Sequence, residues 1–209
     1  MPVHARARNG RTRASINAHG ARPVVIDGNA GAPDPADAYY QRAQKLAGRY
    51  READVTRIVA LLEEAASYGH PDALFELGTW HHYGIGVPRD DRKAVDCWER
   101  AAAGAQRDAS FHLAIACERG IGTERDAARA FALYERCRSA GDVNAYYEVG
   151  RCKYYGIGTA EDRAGAAACF ADARRYGHPE AICDDAEGDA PRRMPRPNVA
   201  GPFHATRGG

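Results

Sequence analysis

Three stretches of this 209-residue chain share one shape: HHYGIGVPRDD at 81–91, CERGIGTERDA at 117–127 and KYYGIGTAEDR at 153–163. Their GIG tripeptides begin at Gly84, Gly120 and Gly156, a constant spacing of 36 residues. The same interval carries Ala73, Ala109, Ala145 and Ala181, then Leu77, Leu113 and Val149, then Asp90, Asp126 and Asp162. It also carries Ala94, Ala130 and Ala166, a large ring at Trp98, Tyr134 and Phe170, and Ala101, Cys137 and Ala173. A degenerate copy precedes them, with Asp54, Ile58, Leu62 and Ala65 one period before Asp90, Ala94, Trp98 and Ala101. A period of this length, free of insertions, marks one supersecondary unit repeated along the chain.

Within a unit the spacing is helical. Ala73, Leu77 and His81 fall at i, i+4 and i+8 of a first helix, and Ala94, Trp98 and Ala101 at i, i+4 and i+7 of a second. One such pair cannot bury its apolar faces alone, whereas stacked pairs can, so the expected fold is all-α: a right-handed α-solenoid of stacked antiparallel helix pairs. The second helix is expected to open with a capping box, Thr123 to Asp126 and Thr159 to Asp162, with Pro88 serving as the first helical residue in the earlier unit. Gly84, Gly120 and Gly156 stand where the first helix must stop, and Gly86, Gly122 and Gly158 let the chain turn. Ile85, Ile121 and Ile157 are expected to tuck over the seam between helices. A phosphate-binding loop is excluded: no β-branched strand precedes the glycines, the third glycine of a dinucleotide fingerprint is missing, and no GK[ST] follows.

The unit ALFELGTWHHYGIGVPRDDRKAVDCWERAAAGAQRD (73–108) resembles a Sel1-like repeat, a relative of the tetratricopeptide repeat. Ala73, Leu77, Gly78, Gly84, Gly86, Val87, Asp90, Lys93, Ala94, Trp98, Ala101 and Ala102 carry the likeness there. Ala109, Leu113, Gly120, Gly122, Asp126, Ala130 and Tyr134 carry it in the next unit, and Ala145, Gly150, Gly156, Gly158, Asp162, Ala166 and Phe170 in the third. The sequence departs from the pattern at the first helix's tyrosine, which is His81, Cys117 and Lys153, and at the repeat-ending glycine, displaced to Gly104. The resemblance implies an adaptor or regulatory protein that binds other proteins, without catalysis. A narrower version implies an immunity or regulatory partner of a secreted toxin or enzyme.

Around the repeats, the expected organisation is a flexible basic arm at 1–34, a repeat domain at 35–186 and a flexible tail at 187–209. The units fall at about 37–72, 73–108, 109–144 and 145–180, with a truncated cap from 181. The segment 1–31 holds five arginines and one aspartate without apolar periodicity. Net charge is +1, so no global bias toward nucleic acid or membrane exists, and no apolar run reaches membrane-spanning length. Nucleic-acid contact through the arm's arginines is an alternative, although the mixed charge of the repeats supplies no basic stripe. Six cysteines without a CxxC read as small buried apolar residues in a reducing compartment, which places the protein in the cytoplasm.

Chemistry-bearing motifs are sparse. His81 and His82 are adjacent and point about 100° apart on a helix, so they do not share a metal readily. An enzymatic pocket near His81/His82 is the alternative they leave open. No HExxH, cysteine–histidine cluster or GxSxG elbow occurs, so no catalytic, cofactor-binding or metal-ligating set is expected. The first helices instead hold the expected partner-binding residues: Phe75, Phe111 and Tyr147 in one column, His82, Glu118 and Tyr154 in another, and Lys153 beside the last. They mix aromatic and charged groups in the manner of interaction hot spots. Phe75, Phe111 and Tyr147 have a competing reading as core between units. Weak self-association through the solenoid ends is also expected.

Overall fold

The computed structural model describes residues 34–49 and 51–182. Among these, the chain forms α1 (Pro35–Ala47), a 3-10 turn (Glu52–Asp54), α2 (Val55–Ser67), α3 (Pro71–Tyr83), α4 (Asp91–Ala103), α5 (Arg107–Arg119), α6 (Ala127–Ser139), α7 (Val143–Tyr155), α8 (Arg163–Arg175) and the short α9 (Pro179–Ile182). Each of α1 to α8 is 13 residues long. First helices begin at 35, 71, 107, 143 and 179, and second helices at 55, 91, 127 and 163, so the 36-residue interval is met at every boundary. Pairs form between α1 and α2, α3 and α4, α5 and α6, and α7 and α8, and each pair stacks on the next. The fold is an all-α solenoid of antiparallel helix pairs. Apart from Asp34, the N-cap of α1, the expected basic arm lies outside the described residues, as do the tail and Cys183.

The second helices are capped differently from the expected capping box. Asp90, Asp126 and Asp162 are themselves the N-cap residues. Asp90 accepts from the N–H groups of Arg92 and Lys93 at 3.1 Å, Asp126 from Arg129 at 2.8 Å and Asp162 from Gly165 at 2.8 Å. A short carboxylate reaches the second and third N–H groups directly, so Thr123, Thr159 and Pro88 stand outside the helix. The Asp90, Asp126 and Asp162 N–H groups also donate back to the carbonyls of His81, Cys117 and Lys153, closing each GIG loop at 2.8 to 2.9 Å. Position 81/117/153 therefore serves the turn through its backbone, which explains why its side chain varies so widely.

The two glycines of GIG do different work. Gly84, Gly120 and Gly156 take φ of 71°, 71° and 67° as left-handed C-caps. Gly122 and Gly158 press against the preceding unit, where a Cβ would run into the backbone carbonyls of Asp91 and Ala127 at the starts of α4 and α6. Of the intervening isoleucines, Ile121 and Ile157 pack on the core, but Ile85 stays 44 % exposed.

The core follows the repeat. Ala73, Ala109, Ala145, Ala94, Ala130 and Ala166 are wholly buried, and the rings of Trp98, Tyr134 and Phe170 fill the space between helices. Two of these rings face a glycine of their unit's first helix. Gly78 leaves no room for a Cβ beside Trp98, nor does Gly150 beside Phe170.

The end of the second helix corrects one expectation. The left-handed residue there is Gly69, Gly141 and Gly177 in three units, at φ of 84° to 86°, but Ala105 at φ 65° in the fourth. Gly104 keeps φ −81° and does not replace them. Alanine in that conformation costs about 1 to 2 kcal/mol, partly offset by the extra chain entropy of glycine. Ala105→Gly is expected to stabilise the protein by about 0.5 to 1 kcal/mol, read as a rise in thermal midpoint. An unchanged or lower midpoint would refute it.

Candidate functional site

The first helices run side by side, and their contacts show which positions are committed inward. His82 is buried, with Nδ1 2.7 Å from Asp91 Oδ1 at the start of the second helix. Burial disfavours the Asp91 charge, but the bonds from Arg89 and His82 outweigh it and hold that carboxyl below its ordinary value. Tyr154, one column-mate of His82, lies half-buried under the Arg163 guanidinium, 4.8 Å from its ring centre. His82 and Tyr154 each meet the residue nine positions later. Glu118, in the same column, has Ala127 at that distance and turns instead to the next unit.

There it enters a buried ion cluster. Arg151 Nη2 donates to Glu118 Oε2 at 2.6 Å, Arg151 Nε donates to Glu148 at 2.7 Å, and the Tyr134 hydroxyl donates to Glu118 at 3.1 Å. Arg151 and Glu118 keep 8 % and 11 % of their side-chain exposure, so this cluster is interior structure that ties α5, α6 and α7 together. Burial raises the Tyr134 hydroxyl well above its ordinary range and lifts the Glu148 carboxyl, with Arg151 opposing the second shift.

The aromatic column divides. Tyr147 is 2 % exposed, stacked on His178 at 4.5 Å and tilted against Phe170, which puts it in the core and not on an open face. Phe75 and Phe111 are half-buried, edge-on to His112 and Tyr134. Lys153 sits 4.0 Å from the Asp162 carboxylate with 24 % exposure. The residues read from sequence are thus distributed along internal seams, and only Lys153 and Tyr154 adjoin one another at the surface end of α7.

The open face of the first helices is formed by other columns. Glu76 and His112 occupy one, and Thr79 and Ile115 the next, while their counterparts Glu148 and Arg151 are taken into the ion cluster. Tyr83, Arg119 and Tyr155 occupy the last turn, each 36 residues apart. Tyr83 is 45 % exposed, and Tyr155 stands edge-on to Tyr154 at 5.0 Å. Tyr40 of α1 joins the face by donating to Glu76 at 2.8 Å. Burial, together with that carboxylate, pushes the Tyr40 hydroxyl up to about 12. The i, i+3, i+7 spacing of these non-core positions is present in the sequence, but the rotation of the helix that exposes them is not.

His81 and His82 are both buried, and among the described residues no group of histidine, cysteine and carboxylate side chains could hold a metal ion. The five described cysteines are free and buried. No described helix is long and apolar enough to cross a membrane.

Stacked 13-residue helix pairs with a glycine-closed turn define the chain as a helical-repeat solenoid. It belongs to the Sel1-like repeat family: the Sel1 repeat profile matches residues 71–105, 107–142 and 143–174. No curated protein matches the chain. Among solved structures it is similar to a Sel1 repeat protein from Oxalobacter formigenes, with 24 % identity and a TM-score of 0.65 over 70 % of this chain and 60 % of that one. It is also similar to c5321, a protective antigen of uropathogenic Escherichia coli with an SLR fold, with 22 % identity and a TM-score of 0.66 over 71 % of this chain and 32 % of that one. The chain therefore spans less than two thirds of either neighbour's length.

Proposed function

We infer that this protein holds a partner protein or peptide on the open face of its first helices, without catalysing a reaction. The observation that carries this reading is the row Tyr83, Arg119 and Tyr155, repeated at the last turn of α3, α5 and α7, with Tyr154 and Lys153 beside it. Tyrosine and arginine supply large contact area and directed hydrogen bonds at small entropic loss, and they dominate interface energetics. The row also ends three parallel helices, so a partner lying across them meets one anchor per unit. Phe75 and Phe111 support the face from beneath.

A cytoplasmic setting belongs to the same proposal. Its support is the set of buried free thiols, which burial drives upward, Cys97 and Cys137 to about 11.

Capture of partners from the native cell tests the face. The full chain is expected to retain a partner that is lost when Tyr83, Arg119 and Tyr155 are together changed to alanine, with helix content unchanged. Truncating three such anchors is expected to weaken binding by a factor of 100 or more, roughly 3 kcal/mol. Undiminished capture by the triple variant would remove the face from consideration.

A further inference from the structure

A cavity of about 310 Å³ opens where the ends of α4 and α6 meet the start of α5. That volume lies at the small end of the range for ligand sites. One wall is apolar, made by alanines such as Ala102 and Ala140 with Cys137, and the polar side presents Arg107, Ser110 and Arg136.

The repeat separates what the fold requires from what this unit adds. The place of Ser110 holds Leu74 one unit earlier, Tyr146 one later and Ile182 after that, so serine withdraws the large side chain. The place of Arg107 holds Pro71, Val143 and Pro179, so the arginine is particular to this unit. Arg136 does have a counterpart, Arg100, whose guanidinium donates to the Ala66 carbonyl at 3.0 Å. Arg136 instead donates to the Ser110 hydroxyl at 2.6 Å. The strained Ala105, standing where the other units have glycine, lines the same space. Departures that stacking does not ask for converge on one cavity.

Their charge is uncompensated locally. Among the described residues no carboxylate lies within ion-pair distance of Arg107 or Arg136. Asp108 and Asp142 act on Cys137 at longer range, and Asp142 is committed to capping α7 through Asn144 and Ala145. Gln106 takes the Ala109 N–H at 2.7 Å, leaving the positive end of the α5 dipole directed at the same region.

We propose that this cavity binds a small carboxylate on a short apolar stem, its oxygens held by Arg107, Arg136 and the Ser110 hydroxyl and its stem against the alanines and Cys137. Two guanidinium groups and a hydroxyl match a carboxylate's acceptors, and the apolar wall favours an aliphatic stem over a bare ion. The site lies apart from the Tyr83, Arg119 and Tyr155 row and does not depend on it.

Titration of the full chain with butyrate, butyramide and inorganic phosphate, followed by amide shifts of Ala105 and Ser110, tests this. Butyrate is expected to give saturable shifts in the millimolar range, and butyramide none. Arg136→Gln is expected to weaken butyrate roughly tenfold, the loss of one charge-assisted bond. Ser110→Leu, which restores the side chain carried at Leu74, is expected to abolish binding while keeping helix content and thermal midpoint. No saturable butyrate shift, an equal response to butyramide, phosphate binding as tight as butyrate, or binding retained in folded Ser110→Leu would each overturn the proposal. Should Ser110→Leu fail to fold, undiminished butyrate binding by Arg136→Gln would overturn it alone.

Discussion

Gly122→Ala is expected to lower stability by about 3 kcal/mol or more, while Gly120→Ala, two residues away, is expected to lose only about 1 kcal/mol. Both residues have positive φ, 67° and 71°, so both substitutions carry the conformational penalty of about 1 kcal/mol. They differ in what a side chain would meet. At Gly120 the nearest atoms are Arg125 Cβ and N at 3.4 to 3.5 Å, ordinary contact. At Gly122 a Cβ overlaps the Asp91 carbonyl of the preceding unit, and backbone inside a capped helix cannot yield cheaply. Overpacking of this kind adds about 1 to 3 kcal/mol. Gly158 stands in the same relation to Ala127 and is expected to behave alike. Urea unfolding of the Gly120 and Gly122 variants is the measurement. Equal losses would show that the second glycine serves only its own turn and does not dock one unit on another.

Arg151→Met is expected to cost about 3 kcal/mol at neutral pH, because it leaves Glu118 and Glu148 without their shared cation. The parent arrangement has one guanidinium between two carboxylates, with Tyr134 donating to Glu118 as well. Glu148 already has a raised carboxyl, burial outweighing Arg151, so the folded chain binds that proton more readily than the unfolded chain. A raised carboxyl destabilises the fold above its folded pKa and ceases to do so as the pH falls through it. In the variant Glu148 loses the opposing charge and moves further in that direction. The gap between variant and parent is therefore expected to narrow as the pH is lowered from 7 to about 5. A gap that stays constant with pH would show that lost packing, not stranded charge, dominates.

Much of the architecture is legible in the amino-acid sequence, for a definable reason. Helix length, the break at GIG and the aspartate at the head of each second helix are local features, and a 36-residue recurrence displays each of them several times over. Even so, the threonines at 123 and 159 suggested a capping box that does not form, since the aspartate three residues on caps alone. The sequence also pointed to Gly104 as the helix-ending glycine, whereas Ala105 holds the left-handed position. Both differences arise within one or two residues of a boundary, where several side chains compete for the same N–H groups and the backbone has more than one way to stop.

The candidate site was less legible. His82, Glu118 and Tyr154 vary in chemistry at one column, as recognition residues do, yet variation arose there because each finds a different internal partner: Asp91, Arg151 and Arg163. That pattern is visible only when the start of the second helix is placed against the end of the first. Tyr147 resembles Phe75 and Phe111 in sequence, but His178 and Phe170 close over it.

The sequence by itself determined the period, the helix pairs, the two-glycine turn and the membership of the Sel1-like repeats, because these rest on backbone preferences and on apolar spacing within a single unit. Tertiary structure alone decided which way each first helix is rotated, and hence that Tyr83 and Arg119 stand exposed and Tyr155 half-buried, while His82 and Glu118 turn to internal partners. It also decided that Arg107, Ser110 and Arg136, drawn from two helices, surround one cavity. Rotation and convergence are set by how neighbouring units pack, and a helical period specifies a face without specifying what will cover it.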